Sequence, residues 1–177
     1  MQSIITSLPR CSIRSWRTGD ERSLVENADN RNVWLNLLDA FPHPYTDADA
    51  KEWIAASSTA DPEQNFAVEY LGFAIGGVGL TLHDGVLSKT GSFGYWIGER
   101  YWRKGIATAV VEAFVPHVFS EFALVRLEAR VFSWNPGSSR VLEKCGFRKE
   151  ALLEKRIFKD GRIIDEYVFA RIAPRGC

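Results

Sequence analysis

The sequence lacks several features that identify common classes of protein. It has three cysteines in no metal-ligand spacing, Cys11, Cys145 and Cys177. We therefore expect no metal, and a reduced, cytoplasmic location is the simpler interpretation. It has no excess of either charge, since Lys plus Arg and Asp plus Glu each number 22, so nucleic-acid binding by bulk charge is not expected. No apolar run is long enough to span a bilayer, so no membrane association is expected.

The chain also lacks a feature that would divide it. It has no internal repeat, no low-complexity tract and no linker rich in Gly, Ser or Pro. Its 177 residues, of which 46% are hydrophobic, therefore predict a single globular domain over residues 1–177. Residues 1–19 contain three arginines and no acid, as transit peptides do, so an organelle is the alternative location.

Hydrophobic periodicity predicts a succession of strands and helices. Strands are predicted at Cys11–Trp16, Asn65–Tyr70, Gly72–Leu80, Gly91–Gly98 and Leu124–Phe132, with a final hairpin that turns at Lys159-Asp160-Gly161. Helices are predicted after Thr18, around Val33–Leu38, from Thr46 to about Ser57, from about Gly105 to Phe119 and over Ser138–Lys144. The segment "FPHPYT" (41–46) is predicted to be a loop. This order predicts an α/β (α+β) domain with one mixed, mostly antiparallel twisted sheet and helices on both faces.

The segment "GYWIGERYWRKGIATAVVEAF" (94–114) passes from an apolar strand through a cationic turn into a helix. The backbone N–H groups and the positive dipole end at a helix start bind phosphate well. Gly105 permits close approach of a ligand, and Arg103 and Lys104 add positive charge. The spacing matches neither a P-loop nor a dinucleotide-binding fingerprint. By itself, the turn fits an anion site and an ordinary solvated helix start about equally.

A second segment, "WNPGSSRVLEKCGFRKE" (134–150), extends the pattern. With it the sequence resembles the GNAT acyl-CoA N-acyltransferases, and within them the RimJ/RimL type that acetylates protein N-terminal amines. The family turn [QR]-x-x-G-x-[GA] corresponds to "WRKGIA" (102–107), and the family pattern N-x-x-S-x-x-x-x-x-x-G-F corresponds to residues 135–147. Residues 36–54 also resemble RimJ/RimL-like chains. Two positions depart from the pattern, since Trp102 replaces Gln or Arg and Arg103 stands where many members have glycine.

The resemblance implies a GNAT fold and acetyl-CoA as the co-substrate. It implies that the pyrophosphate contacts the backbone of Arg103, Lys104, Gly105, Ile106, Ala107 and Thr108. It also implies that the pantetheine arm pairs like an extra strand with Tyr95, Trp96, Ile97 and Gly98, where the N–H of Ile97 or Gly98 would meet the oxyanion. Asn135 would either bind the pantetheine arm or only end a strand.

The proton donor for the departing thiolate is predicted from the same resemblance. Many GNAT enzymes use a tyrosine whose position here is occupied by Leu142. RimL-like members use the serine of the second motif, which corresponds to Ser138. The alternative is that Ser138 only caps its helix, and the two roles are not exclusive.

The general base stays open between several groups. Glu128 shares a strand face with Arg126 and Arg130, so a structural salt bridge is the stronger interpretation of that carboxylate. Glu154 and Asp165 on the final hairpin are further candidates, and a water-relayed proton competes with all three.

The acceptor pocket is predicted to include Trp34, Phe41 and Tyr45, with the final hairpin opposite. The Tyr45 hydroxyl would orient an amine or a carbonyl, although loop packing explains this residue as well. His43, between two prolines, is predicted to be exposed, and a catalytic role for it is a minority interpretation.

The leading hypothesis is therefore an N-acetyltransferase that acts on a protein or peptide α-amine by direct attack in a ternary complex. A second hypothesis replaces this acceptor by a small amine, such as a polyamine, an amino acid or an aminoglycoside. A third is a non-catalytic acyl-CoA-binding module. Both a monomer and a homodimer are compatible with the sequence.

Overall fold

Eight strands and five helices form within residues 3–174, the part of the chain that the computed structural model describes. The helices are α1 (Glu21–Ala28), α2 (Arg31–Trp34), α3 (Asp47–Thr59), α4 (Ile106–Glu121) and α5 (Pro136–Lys144). The strands are β1 (Ile4–Ile5), β2 (Cys11–Ser15), β3 (Asn65–Tyr70), β4 (Phe73–Leu82), β5 (Thr90–Ile97), β6 (Arg126–Phe132), β7 (Arg148–Lys159) and β8 (Arg162–Ile172). Single turns of 3₁₀ helix lie at Gly85–Leu87 and Glu99–Tyr101. Among these described elements, no helix has the length and apolar character needed to cross a membrane.

The chain divides into two units, each with its own set of internal contacts. The first unit comprises residues up to Gly79 together with Tyr95–Ala113, and the second comprises Leu80–Gly94 and the residues from Phe114 onward. Strands β4 and β5 and helix α4 each contribute residues to both units.

In the first unit, strands β1 to β4 pair antiparallel in chain order. The end of β5 lies beside β4, because the Gly98 N–H donates to the Ile75 carbonyl at 2.8 Å. Residues from α1, α3, these strands and two adjoining loop positions form one buried cluster, which comprises Trp16, Leu24, Ala28, Tyr45, Ala50, Ile54, Ala67 and Ala74. Burial of these apolar side chains is the main force that holds the helices against the strands.

In the second unit, β6, β8 and β7 pair antiparallel in that order. The first residues of β5 pair parallel to β6, from Thr90 opposite Arg126 to Ser92 opposite Glu128. The ring of Phe93 stacks on those of Phe114 and Phe147, with centroids 6.0 and 5.8 Å apart. The predicted α+β class with a mixed, mostly antiparallel sheet is therefore confirmed.

Several predicted elements are confirmed where their signals lie in adjacent residues. Strand β3 covers Asn65–Tyr70 as predicted. Helix α3 begins with a capping box, in which the Asp49 N–H donates to Thr46 Oγ1 at 3.3 Å and the Thr46 N–H donates to Asp49 Oδ2 at 2.7 Å. The final hairpin turns at Asp160 and Gly161, with φ of 51° and 74°, the left-handed pair that a tight two-residue turn requires.

Other elements differ from the prediction. The strand before the second motif ends at Phe132, so the prediction that Asn135 ends a strand is wrong. Asn135 is instead the N-cap of α5, and its Oδ1 accepts a hydrogen bond from the Ser138 N–H at 3.1 Å. Strand β1 and the two 3₁₀ turns were not predicted, because two- and three-residue elements are too short to show a periodicity.

Candidate functional site

The start of helix α4, in the first unit, is the candidate site for an anion. The first backbone hydrogen bond of the helix runs from the Ala109 N–H to the Gly105 carbonyl at 3.0 Å. The N–H groups of Ile106 and Ala107 therefore lie in the first turn, where a helix offers no internal acceptor. Gly105 has φ of +78°, and a Cβ built on it meets no atom within 4 Å. The space over this turn is open to a ligand.

Cationic side chains surround this helix start. Arg103, Lys104 and Gly105 are all exposed. The Lys104 ammonium and the Arg100 guanidinium each lie 5.2 Å from the ring centroid of Tyr101, a range in which a cation is attracted to an aromatic face. An open helix N-terminus flanked by cations suits the phosphates of coenzyme A.

Arg103 has an unusual backbone conformation for a residue with a side chain. Its φ is +61°, in the left-handed region, which costs a non-glycine residue roughly 1–2 kcal/mol. This geometry explains why glycine suits the position in many members of the family that the sequence resembles. Here the turn keeps its shape and gains an exposed guanidinium.

The end of β5 presents one backbone edge to β4. The Gly98 N–H is bonded to Ile75, and a Cβ on Gly76 would lie 2.2 Å from the Trp96 carbonyl oxygen, so both groups face β4. Because successive residues of a strand point their backbone groups to opposite edges, the backbone groups of Ile97 face the other edge. Gly98 is therefore wrong as the oxyanion donor, whereas Ile97 stays a candidate for this role.

Trp102 contacts this second edge of β5. Its indole Nε1–H donates to the Ile97 carbonyl at 2.6 Å. The turn Glu99–Tyr101 brings Trp102 to the strand end, because the Trp102 N–H donates back to the Glu99 carbonyl at 3.0 Å. This contact was not predicted, and "WRKGIA" contains no local signal for it.

A polar network fixes the 3₁₀ turn that precedes the cationic turn. The Glu99 carboxylate accepts hydrogen bonds from the side-chain amides of Asn30 and Asn32, both at 2.8 Å. The Arg100 Nε donates to the buried Asn27 Oδ1 at 3.1 Å. This network was also missed, because its partners lie 67 to 73 residues apart in the chain.

Aromatic rings form a wall in the first unit beside the β5 end. The ring of Phe41 lies 4.9 Å from that of Tyr45 and 5.4 Å from that of Trp96, between centroids. Trp34 stacks instead on exposed His43, with centroids 5.5 Å apart. The predicted acceptor residues Phe41 and Tyr45 thus lie together with Trp96, whereas Trp34 packs on the neighbouring loop.

Tyr45 is a core residue as well as part of this wall. It is only 5% exposed. Burial, with a smaller contribution from the Asp49 carboxylate, raises the pKa of Tyr45 to about 12. Its hydroxyl is therefore protonated at neutral pH, and Tyr45 is not a base. Burial of the ring supports the packing interpretation over an orienting role.

The second motif lies in the second unit. Asn135, and not Ser138, caps helix α5, so the alternative in which Ser138 is the cap is wrong. The physical reason is that Ser138 is the third residue of the helix, and its own N–H is the group that the cap satisfies. Leu142, where many GNAT enzymes have tyrosine, is completely buried.

The candidate bases of the second unit differ in their partners. Glu128 Oε1 accepts from Arg126 Nε at 2.8 Å, so its predicted salt bridge is confirmed. Arg130 is bound not to Glu128 but to Glu166, at 3.0 Å. Glu154 is exposed on β7.

Asp165 and potential metal ligands complete the set of candidate groups. Asp165 Oδ1 accepts from the backbone N–H of Lys155 at 2.8 Å, so this carboxylate helps to shape the hairpin. Across residues 3–174, no group of three His, Cys, Asp or Glu side chains has an arrangement that could hold a metal ion.

The chain matches a family of known proteins over most of its length. The family model for the acetyltransferase (GNAT) domain matches residues 10–148. This range includes the cationic turn, the aromatic wall, and Asn135 and Ser138 of the second motif.

Individual relatives support the same family. YoaA, an uncharacterized N-acetyltransferase of Bacillus subtilis (strain 168), is 36% identical over 87 residues, which are 49% of each chain. YokL, an SPbeta prophage-derived uncharacterized N-acetyltransferase of the same organism, is 31% identical over 137 residues, which are 76% of each chain. The ribosomal-protein-serine acetyltransferase of Escherichia coli (strain K12) is 30% identical over 86 residues, 49% of this chain and 48% of that protein. The first and third matches span about half the length of those relatives.

Solved structures share the fold. RimL, described as a ribosomal L7/L12 alpha-N-protein acetyltransferase in complex with coenzyme A, superimposes with a TM-score of 0.84 at 16% identity, over 97% of this chain and 98% of that one. Spermidine N-acetyltransferase from Vibrio cholerae, in complex with CoA and spermine, gives a TM-score of 0.77 at 23% identity, over 93% and 96% of the two chains. At these identities the likeness is one of fold alone.

Proposed function

Because this chain belongs to the acetyltransferase (GNAT) family, we propose that it transfers an acetyl group from acetyl-CoA to a primary amine, and that its preferred acceptor is the N-terminal α-amine of a protein or peptide. The single observation that carries the proposal is the start of α4, where first-turn amides, the open space over Gly105 and exposed cations lie together. RimL and the E. coli relative, whose names describe ribosomal-protein acetylation, support this choice of acceptor.

Acetyl-CoA supplies an activated thioester in this reaction. The acceptor nitrogen attacks the carbonyl carbon, a C–N bond forms and the C–S bond breaks. The nitrogen loses a proton, and the departing thiolate gains one. The pKa of an α-amine is about 7.7–8.0, so a useful fraction of it is neutral at cellular pH. Positioning can therefore supply much of the rate without a strong dedicated base.

Each chemical role has a proposed residue. The N–H of Ile97, on the edge of β5 that faces away from β4, would stabilise the oxyanion. Ser138 would donate the proton to the thiolate, an assignment that rests on its place in the family motif. For the base we favour a water-relayed proton over Glu128, because the Glu128 carboxylate is already bound to the Arg126 guanidinium. Glu154 stays a candidate.

The aromatic wall supports a chain end as the acceptor. Phe41 and Trp96 are half-buried apolar rings beside β5, and such rings suit the side chain of a first residue better than a polycation. By family analogy we expect small first residues, such as Ala or Ser, to be preferred.

A small polycationic amine is the second candidate, since the spermidine N-acetyltransferase shares the fold. A cleft of about 290 Å³ in the first unit is lined by two carboxylates, Glu26 and Glu99, together with Asn27, Asn30 and Arg100. Glu26 is already paired with Arg22 and Arg100, and Glu99 with two asparagine amides. The two guanidinium charges offset the two carboxylate charges, and the neutral amides occupy the Glu99 oxygens, so we rank the polyamine second.

The proposal is tested with the purified chain, acetyl-CoA and a panel of acceptors, analysed by mass spectrometry. The panel contains peptides that begin with Ala or Ser and carry one lysine, the same peptides blocked at the N-terminus, spermidine, free amino acids and an aminoglycoside. We expect acetylation at the free α-amine and none on the blocked peptides, because a neutral lysine amine is rare at pH 7, given its pKa of about 10.4.

Two other results would replace the proposal. Faster turnover of spermidine or the aminoglycoside than of every peptide would establish the small-amine function. Tight acetyl-CoA binding with no turnover of any acceptor would favour the non-catalytic module.

A further inference from the structure

The indole of Trp102 is held against the backbone of β5 by a single short hydrogen bond. Its Nε1–H donates to the Ile97 carbonyl at 2.6 Å. The side chain is not part of the core, since Trp102 is 41% exposed. A ring that is 41% exposed buries less apolar area than a core ring does, so its displacement costs less free energy than that of a core residue.

The Ile97 carbonyl, to which Trp102 donates, is on the edge of β5 that faces away from β4. Gly98 and Trp96 direct their backbone groups to β4, so the Ile97 carbonyl points to the opposite edge. An extended ligand that pairs with this edge needs a carbonyl acceptor for one of its amide N–H groups. The pantetheine arm, with two amides, is such a ligand if the proposed function holds.

Trp102 and the arm therefore compete for the same place. A carbonyl oxygen has two lone pairs, and the Trp102 N–H, with its nitrogen 2.6 Å from the Ile97 oxygen, already takes one of them. Binding of the arm must first break the Trp102 bond and move the ring. The Trp102 hydrogen bond consequently lowers the apparent affinity for the arm. The reason is that the closed state, in which this bond is formed, cannot bind the arm.

We propose that Trp102 gates the acyl-donor site by occupying the Ile97 carbonyl, so that it discriminates against pantetheine-containing ligands until the indole is displaced. This inference rests on the proposed use of coenzyme A. The proposal also gives a physical consequence to the presence of Trp102 where the family pattern has Gln or Arg. The side chains of Gln and Arg have no fused ring that could lie over the strand end.

The test is the substitution Trp102→Phe, which keeps an aromatic ring and removes the N–H donor. Calorimetry measures the Kd of coenzyme A and of adenosine 3′,5′-bisphosphate, which lacks the pantetheine arm. We expect coenzyme A to bind Trp102→Phe about 3- to 10-fold more tightly than wild type, the range of one net hydrogen bond. The affinity for the bisphosphate should not change.

Trp53→Phe is the matched control, because Trp53 is 40% exposed and lies in the same unit. It should leave both dissociation constants at their wild-type values. Displacement of the indole also predicts that the change in tryptophan fluorescence caused by coenzyme A is smaller in Trp102→Phe than in wild type, by the contribution of Trp102, and that Trp53→Phe keeps this contribution.

The outcomes separate this inference from the function on which it rests. If wild type binds coenzyme A but Trp102→Phe binds it equally or more weakly, the gate is wrong and the cofactor assignment survives. An equal gain in affinity for the bisphosphate would also overturn the gate, since the arm would not be involved. If wild type binds no coenzyme A, the proposed function and the gate fail together.

Discussion

At the scale of single residues, the cationic turn combines two left-handed positions with different consequences. Arg103 at φ +61° bears a strain that glycine would avoid, and it adds a cation. Gly105 at φ +78° avoids that strain and leaves the adjacent space open. The substitution of one glycine is therefore the most direct test of the phosphate site.

We expect Gly105→Leu to abolish the rise in Tm that acetyl-CoA causes in wild type. A ligand that binds only the native state stabilises it by about 2.7 kcal/mol at 100 times its Kd, and a side chain over the turn would block the phosphates. The measurement is thermal unfolding with and without acetyl-CoA.

Gly161→Leu provides the matched control for this experiment. Gly161 has φ of +74° and, like Gly105, no atom within 4 Å of a built Cβ. Both variants should lose comparable intrinsic stability, but Gly161→Leu should retain the ligand-induced shift. The same shift in both variants would disprove the assignment of the phosphate site.

At the scale of elements, helix α5 carries an observed capping residue, Asn135, and the proposed proton donor, Ser138. Asn135 caps the helix through its Oδ1, and Ser138 supplies the N–H that is capped. The two side chains therefore predict different effects when each is replaced by alanine.

We expect Asn135→Ala to lower the free energy of unfolding by about 1 kcal/mol, the typical value of an N-cap, as measured by urea denaturation. Asn135→Asp, which keeps a capping oxygen, should retain most of that stability. Ser138→Ala should instead lower kcat with little change in the Kd of acetyl-CoA, because the lost group is the proposed proton donor. A wild-type kcat in Ser138→Ala would remove this residue from the mechanism.

At the scale of the whole molecule, the buried phenol of Tyr45 makes the free energy of unfolding depend on pH. Its pKa is raised from 10.0 to about 12, first by burial and then by the Asp49 carboxylate. The unfolded chain therefore ionises this tyrosine at a lower pH than the folded chain does. The stability that the neutral phenol contributes is complete below pH 10 and is lost as the pH rises through about 12.

We expect Tyr45→Phe to reduce the loss of stability in alkaline solution. Two pKa units correspond to about 2.7 kcal/mol, so wild type should lose up to about that much more free energy of unfolding than the variant between pH 9.5 and about 12. Chemical denaturation of both proteins at several pH values in this window provides the comparison, in which the titration of other groups cancels. Parallel pH dependences would show that Tyr45 ionises normally in the folded protein.

The sequence by itself determined the elements whose signals lie in neighbouring residues. The limits of β3 follow from a short apolar and aromatic run, the start of α3 from Thr46 and Asp49, and the final turn from Asp160-Gly161. The family pattern, which is also local, located the start of α4 and the second motif. A capping bond, a tight turn and a short strand-forming run each depend on residues within a few positions of one another, so the local sequence is enough to predict them.

Only the tertiary structure decided how these segments are used. In the folded chain, Glu99 is bonded to Asn30 and Asn32, and the Gly98 N–H points to β4. The Trp102 indole donates to the Ile97 carbonyl, and Tyr45 is buried. Most of these contacts join groups that are far apart in the chain, and all depend on which edge or face the folded strands present. No local pattern distinguishes the two edges of a strand, because the backbone groups on both edges are chemically identical until a neighbouring strand pairs with one of them.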